Sequence, residues 1–235
     1  MKRIRFITIK NIYIIAALVL ILLSITMGIT ITVVAKEKPI PKYTIVIDAG
    51  HGGIDGGCEG TVTKVTESEL NLKVAKKLNR VLSSFGFNVV MTREGEDGLY
   101  SQLAKNKKQD DMKKRRTIIE KTKPDMVISI HMNSFPNGYE HGAQTFYQVG
   151  DENSKSLADC IQTQLKKDLY QARDFANHTD LYILQCSDCP SVVVEGGFLT
   201  NAKDEELLCT IDYQNKLAYA ISCGVVKYFK LLDSE

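Results

Sequence analysis

The sequence predicts an α/β fold, in which a largely parallel sheet is covered by helices. Two observations support this: short apolar runs rich in Val and Ile recur along the chain, and longer segments with apolar residues at helical spacing lie between them. Strands and helices that alternate in this way form parallel sheets joined by crossover helices. The alternation starts near Tyr43, so most of the 235 residues form one domain of ordinary size.

Five strands and four helices are predicted in chain order. The strands are expected at 43–48, 88–91, 126–131, 143–148 and 191–195. The first helix follows from apolar residues at helical spacing between Leu70 and Phe85, and Gly86 stands where a helix C-cap belongs. Further helices are expected at about 111–121, 154–168 and 213–231. Strands and helices thus alternate through the domain, as an α/β sandwich requires.

The first 35 residues differ from the rest of the chain. Four basic residues precede a run from 12 to 35 that contains no charged residue. At about 1.5 Å per residue, a helix of that length would cross the hydrocarbon core of a bilayer. We expect an uncleaved membrane anchor rather than a signal peptide, because the apolar core of a signal peptide is usually shorter. The basic end should stay in the cytoplasm, which puts the domain outside.

A short linker at 36–42 separates this segment from the domain at 43–235. It has two prolines and four charged residues, as an extended tether does. Every charge of the N-terminal segment is basic, so the net charge of +2 for the whole chain becomes negative when that segment is left out. The apparent basicity belongs to the anchor, and we expect no nucleic-acid partner.

Three groups with the chemistry of metal ligands or proton carriers follow predicted strands. His51 comes after the first strand, His131 ends the third, and Glu195 ends the fifth. The carboxyl ends of parallel strands meet at one edge of a sheet, where reactive groups collect. We therefore expect these three side chains to share one site.

The loop that contains His51, VIDAGHGGIDGG at 46–57, lacks the spacing of a phosphate-binding loop. Counting from Gly50, Asp55 occupies the third glycine position of a dinucleotide fingerprint, and the lysine and hydroxyl residue of a P-loop are missing. The five glycines more simply allow tight turns that direct the His51 imidazole into the site.

Zinc in hydrolases usually has three protein ligands of the histidine and carboxylate type, and an open position for water. His51 and His131 supply two, and the start of the first helix offers Glu67 and Glu69 as the third. Thr66 and Glu69 have the spacing of a capping box, in which Glu69 returns to the backbone N–H of Thr66. That leaves Glu67 free to turn toward His51, so Glu67 is the predicted ligand.

Four sequence motifs occur in order within about 43–229: IVIDAGHGG, ESELNLKVAKKL, ISIHMNS and PSVVVEGGFLTN. Their residues and spacing resemble the zinc-dependent N-acetylmuramoyl-L-alanine amidases of the Amidase_3 type. The resemblance implies a three-layer α/β sandwich with a twisted, mostly parallel sheet flanked by helices. It also implies Zn²⁺ held by His51, Glu67 and His131, with Glu195 as the catalytic glutamate.

The reaction that the resemblance implies is hydrolysis of the amide bond between N-acetylmuramic acid and L-alanine in peptidoglycan. Asn133, beside His131, is an expected substrate-binding residue. Arg115 matches an arginine of the family, and it either binds substrate or pairs structurally. The implied partners are glycan strands with their stem peptides and, as for some members of the family, an activating protein.

One membrane-spanning segment followed by one compact domain resembles the layout of the germination-specific amidases of spore-forming bacteria. The resemblance therefore implies a role in the spore cortex, where removal of the peptide lets muramic-δ-lactam form. The chain would act outside the cytoplasm, anchored or secreted, in the space at the forespore membrane. Two alternatives stay open: another zinc hydrolase of wall peptides, and a catalytically silent, membrane-tethered wall-binding protein.

Overall fold

The computed structural model describes residues 13–14, 16–21 and 42–234. The chain divides into two compact units, Met1–Ile40 and Pro41–Glu235. The described residues of the first unit are helical. Among all described residues, no helix is both long enough and apolar enough to cross a membrane. Most of the predicted anchor at 1–35 and most of the linker at 36–42 lie outside the described residues.

Residues 42–234 of the second unit form six strands, five α-helices and a short 3₁₀ helix. The strands are β1 Thr44–Ala49, β2 Asn88–Met91, β3 Met126–Asn133, β4 Gln144–Gln148, β5 Asn177–Thr179 and β6 Ser191–Phe198. The helices are α1 Glu67–Ser84, α2 Lys107–Thr122, α3 Glu152–Asp168, α4 Ala202–Leu208 and α5 Ile211–Leu232, and the 3₁₀ helix is Tyr182–Gln185.

The six strands form one sheet in the order β2-β1-β3-β6-β4-β5. Parallel pairing joins β1 to β2 and β3, and it joins β3 to β6. Strand β4 runs antiparallel to β6 and parallel to β5. The predicted α/β fold with a mostly parallel sheet is confirmed, and β4 and β5 are the strands that run the other way.

Alternate residues of the central strands point to opposite faces of the sheet, and both faces are covered. On one face, Ile45 and Ile47 of β1 belong to a large buried cluster with residues of α1, α3 and α5. On the other face, Val46 packs in a smaller cluster with Ile119 of α2 and Ile183 of the 3₁₀ helix. Helices on both faces produce the three layers, and burial of β1 on both faces explains its continuous apolar sequence.

The five predicted strands are all present; β1 ends one residue later than predicted, and two others continue further. Strand β3 extends to Asn133 and β6 extends to Phe198. The short elements β5 and α4 are not among those predicted from the sequence. The extension of β3 and β6 matters for the site, because these strands lie side by side with His131 opposite Glu195 in the register.

Candidate metal centre

Three side chains from separate parts of the chain converge at the carboxyl end of β1 and beside the last residues of β3. Glu67 Oε1 lies 3.2 Å from His51 Nε2 and 2.9 Å from His131 Nδ1. One ligand atom from each residue lies within 4.8 Å of the other two. The two imidazole rings meet edge to face, with centroids 5.0 Å apart. Two imidazole nitrogens and one carboxylate oxygen therefore face a common point.

The loop after β1 holds His51 in a backbone conformation that side chains rarely adopt. His51 has φ of +59°, in the left-handed region. Its neighbour Gly50 cannot be replaced without movement, since a Cβ there would lie 2.2 Å from Cε1 and Nε2 of His131. The Nδ1 atom of His51 lies 3.1 Å from Asp55 Oδ2. Burial lowers the pKa of His51, but Glu67 and Asp55 more than offset this and raise it.

Glu67 is the first residue of α1, and its side chain is buried although it is acidic. Its Oε1 accepts hydrogen bonds from the Met132 N–H and the Asn71 amide, both at 3.3 Å. Its Oε2 accepts one from the Cys58 N–H at 3.0 Å. Burial would raise the pKa of Glu67, but the two histidines hold it well below its usual range. The carboxylate is therefore ionised and fixed in orientation.

The predicted capping box does not form. Thr66 is the N-cap of α1, but its side chain accepts no capping hydrogen bond. Glu69 instead forms an exposed ion pair with Lys73 at 2.6 Å. The choice between Glu67 and Glu69 thus depends on the loop at 56–58, which approaches the start of α1 closely. A Cβ on Gly57 would lie 2.4 Å from Glu67 Oε2, so a glycine there, at φ of +70°, makes room for the carboxylate.

Glu195 lies in β6 beside His131 and lines the same cleft, whose volume is about 470 Å³. Its Oε2 is buried and has no hydrogen-bond partner among the described residues. Burial raises the pKa of Glu195 to about 7; nearby Glu67 adds to this rise, while His131 and His51 oppose it. A carboxyl group with this proton affinity can accept and return a proton near neutral pH.

Arg115 borders the cleft, but its guanidinium is engaged with the protein itself. Its side chain is 2% exposed, and its guanidinium pairs with Asp48 at 2.7 Å and Asp111 at 2.5 Å. It also donates hydrogen bonds to the carbonyl oxygens of Ala49 and His51, at 2.7 Å and 2.6 Å. Of the two expectations for Arg115, the structure supports structural pairing: the residue positions the His51 loop.

Arg93, for which no role is predicted from the sequence, supports the same loop. Its guanidinium donates hydrogen bonds to the carbonyl oxygens of Ala49, Gly50 and Ser68 at 2.8–2.9 Å. Its position directly after β2, at the same sheet edge, was the signal available in the sequence. Asn133, the other expected substrate-binding residue, lines the cleft, and its side-chain oxygen accepts a hydrogen bond from the Ser134 N–H at 2.8 Å.

Comparison with known proteins identifies the family. The Amidase_3 model, described as N-acetylmuramoyl-L-alanine amidase, matches residues 45–227. The chain is 33% identical over 195 residues to the germination-specific N-acetylmuramoyl-L-alanine amidase of Bacillus subtilis, with 81% of each chain covered. It is 35% identical to the N-acetylmuramoyl-L-alanine amidase LytC of the same species, but spans 37% of that protein and 83% of its own length.

Two solved structures are similar over most of the chain. The CwlD amidase from Clostridioides difficile, in complex with the GerS lipoprotein, has 37% identity and a TM-score of 0.78, covering 81% of this chain and all of that one. The catalytic domain of CwlV from Bacillus (Paenibacillus) polymyxa has 29% identity and a TM-score of 0.71, with 80% and 98% covered. Family match, relatives and shared fold together make this chain a member of the Amidase_3 family of N-acetylmuramoyl-L-alanine amidases.

Proposed function

We propose that this chain hydrolyses the bond between N-acetylmuramic acid and L-alanine in peptidoglycan with a bound Zn²⁺. His51, Glu67 and His131 are the proposed ligands, and Glu195 is the proposed general base. One observation carries the proposal: Glu67 Oε1 lies between two imidazole nitrogens at 2.9 Å and 3.2 Å, beside an unpartnered carboxylate in the same cleft.

The side chains at this point fit zinc. The ligand set of a hydrolytic zinc site can consist of two imidazole nitrogens and one carboxylate oxygen, with a further position open to water. The site here has these three atoms and is open to the cleft. The contact between His51 Nδ1 and Asp55 leaves Nε2 of the same ring for the metal, as an outer carboxylate does in many zinc sites. When bound, zinc supplies a Lewis acid that polarises the scissile carbonyl and acidifies water.

The proton transfers belong to Glu195 in this mechanism. Its carboxylate takes the proton of the attacking water and then gives it to the departing nitrogen of L-alanine. That nitrogen is a poor leaving group until it is protonated, so the second transfer is as necessary as the first. Glu195 Oε2 is buried and accepts no hydrogen bond from the described residues, so it is free to accept that proton. Arg115 and Arg93 keep the loop of His51 in place meanwhile.

Product analysis tests the reaction. The purified chain is incubated with zinc and purified peptidoglycan, and the products are identified by mass spectrometry. We expect peptides with a free N-terminal L-alanine and glycan strands with unsubstituted muramic acid, and a chelator should abolish both. Cleavage at another bond of the stem peptide would identify a different wall hydrolase. Zinc binding with no cleavage of any bond would identify a silent wall-binding protein.

We further propose that residues 1–35 anchor the chain, that 36–42 are a tether, and that the domain at 43–235 acts outside the cytoplasm. The uncharged run at 12–35 and the location of peptidoglycan support this. Protease added to intact protoplasts should remove the domain and leave an N-terminal fragment in the membrane fraction. A domain protected from the protease, or a mature chain that starts after residue 35, would contradict the anchor.

The proposed role is maturation of the spore cortex, where removal of the stem peptide allows another enzyme to form muramic-δ-lactam. The germination-specific relative in Bacillus subtilis supports this role. A spore-forming strain that lacks this chain should make cortex without the lactam, as shown by muropeptide analysis. Cortex that keeps its lactam in that strain would refute the role in the spore cortex but would not contradict the proposed hydrolysis.

The solved structure of the relative CwlD is a complex with the GerS lipoprotein, which raises the question of a partner protein for this chain. In this chain the His51 and His131 side chains keep 21% and 22% of their surface exposed to the cleft. No described segment therefore seals the site. We propose that an activating partner protein also acts on this chain, and that it does so without removing a blocking segment; equal activity of the purified chain with and without a lipoprotein partner would overturn this.

A further inference from the structure

We propose that a groove beside the catalytic cleft, the lysine groove, binds the first free carboxylate of the stem peptide. The groove has a volume of about 430 Å³ and is lined by Asn106, Lys108, Gln109, Met112, Lys113 and Tyr182. The inference rests on the proposed hydrolysis of the muramic acid to L-alanine bond and adds a basis for substrate selection to it.

The lysine groove is continuous with the catalytic cleft. Lys108, Met112 and Tyr182 line both. The first two belong to α2, and Tyr182 begins the 3₁₀ helix that follows β5. A substrate whose scissile bond lies between His51 and Glu195 can therefore extend between α2 and the 3₁₀ helix without leaving the surface.

The charge of the lysine groove is positive. Its lining contains two lysines and no acidic residue, and one of the two, Lys108, forms an exposed ion pair with Asp55 of the catalytic cleft at 3.4 Å. Within the described chain, the Lys113 ammonium forms no ion pair. The neighbouring lysines of α2 are engaged elsewhere, since Lys114 pairs with Asp110 at 3.2 Å and Lys107 lies over the Tyr100 ring. The groove also opens at the N-terminal end of α2, where the helix dipole favours anions.

The distances suit the first charged residue of a stem peptide. L-alanine is followed there by D-glutamate linked through its γ-carboxyl, which leaves an α-carboxylate free unless it is amidated. That carboxylate lies about two residues, or roughly 7 Å, from the scissile bond. Lys108 lies 3.4 Å from Asp55 Oδ2, and that same oxygen lies 3.1 Å from the His51 ring. Lys108 and the proposed metal ligand His51 thus contact the same carboxylate, that of Asp55. Lys113 lies farther along α2.

A pair of substrates that differ in one group isolates this contact. They are N-acetylmuramoyl tripeptides that carry either a carboxylate or a carboxamide at the α position of D-glutamate. We expect wild-type kcat/KM to favour the carboxylate substrate by about tenfold at low salt, at about threefold for each lysine. Raising the ionic strength should reduce the preference, because both ammonium groups are exposed to solvent.

Variants then assign the preference to the two lysines. Lys113→Gln should reduce it to about threefold, and Lys108→Gln combined with Lys113→Gln should abolish it by lowering kcat/KM on the carboxylate substrate. Lys121→Gln is the matched control: it removes an exposed lysine of the same helix outside the groove and should keep the full preference. Melting temperatures check that each variant is folded.

Two results would overturn the proposed role of the lysine groove. One is equal kcat/KM for the two substrates in the wild type, and the other is a preference for the carboxylate substrate that survives in the double variant. Both leave the proposed hydrolysis intact. Failure of the proposed hydrolysis has a different signature, because the zinc-loaded wild type would then cleave neither substrate.

Discussion

The structure brings Glu67 to the two histidines for a reason other than the capping box that led to its prediction. The capping box that assigned Glu69 a structural role is not formed, and Glu69 is an exposed residue paired with Lys73. What turns Glu67 inward is long-range: the Cys58 N–H and the space left by Gly57. These contacts join parts of the chain that sequence spacing does not relate, so they could not be predicted from the sequence.

Substitutions of Glu67 and Glu69, the two glutamates of this helical turn, should have different effects on zinc binding. Glu67→Gln replaces a buried carboxylate between two imidazoles with a neutral amide, so zinc affinity should fall by more than about 100-fold, beyond the loss typical of outer-shell changes. Glu69→Gln alters the exposed neighbour and should keep one zinc per chain. The metal content of both variants after dialysis is the measurement. Full zinc content in Glu67→Gln would remove Glu67 from the ligand set.

A second prediction concerns the space beside His131. Gly50→Ala would put a methyl group 2.2 Å from the ring, so the imidazole must move and zinc affinity should fall. Gly56→Ala lies in the same loop, where its Cβ would meet Thr66 at an ordinary 3.5 Å, and it should bind zinc as the wild type does. Competition with a chromogenic chelator measures both affinities. Equal affinities would show that the ring position is unimportant.

At the scale of elements, the sheet edge was the reliable signal. Parallel β1, β3 and β6 bring the loop of His51, His131 and Glu195 to one edge because their carboxyl ends coincide, although β3 and β6 run two and three residues beyond their predicted ends. The short elements were missed for physical reasons. Strand β5 is the polar triplet Asn-His-Thr at the sheet border, and α4 is a charged segment of seven residues. Neither is long enough to display a period.

The Arg115 guanidinium links two elements, and its pairing predicts an acid-dependent stability. Burial would raise the pKa of Asp48, but the charge of Arg115, with hydrogen bonds from Ser129 and Thr92, lowers it from 3.8 to about 2. A lowered carboxyl pKa contributes stability above about pH 4, and that stability is lost as the pH falls toward about 2. The ionised Asp48 therefore stabilises the end of β1 at neutral pH.

Removing this charge should show in both stability and its pH dependence. Asp48→Asn leaves Arg115 buried with one carboxylate fewer and should lower the unfolding free energy by about 3 kcal/mol at neutral pH. Its stability should also fall less steeply than that of the wild type between about pH 4 and about pH 2. Denaturant titrations measure both effects. Asp188→Asn, at an exposed position, is the control, and an Asp48→Asn variant that matched it would contradict the buried pair.

At the scale of the whole molecule, the two faces of the sheet have different roles. The large cluster under α1, α3 and α5 forms most of the core, while the face under α2 and the 3₁₀ helix packs a smaller cluster. The catalytic cleft and the lysine groove both border α2 and the 3₁₀ helix. Substrate recognition is thus proposed at the less heavily packed side, while the proposed metal ligands are fixed by strand ends and the first residue of α1.

Glu195→Gln tests most directly whether this fold combines a zinc site with a separate proton carrier. The substitution keeps the shape of the side chain and removes its ability to accept a proton. We expect the purified variant to bind one zinc per chain as the wild type does, while hydrolysis of peptidoglycan falls by at least about 100-fold. A zinc-loaded Glu195→Gln variant that still released peptides with N-terminal L-alanine at the wild-type rate would contradict the account.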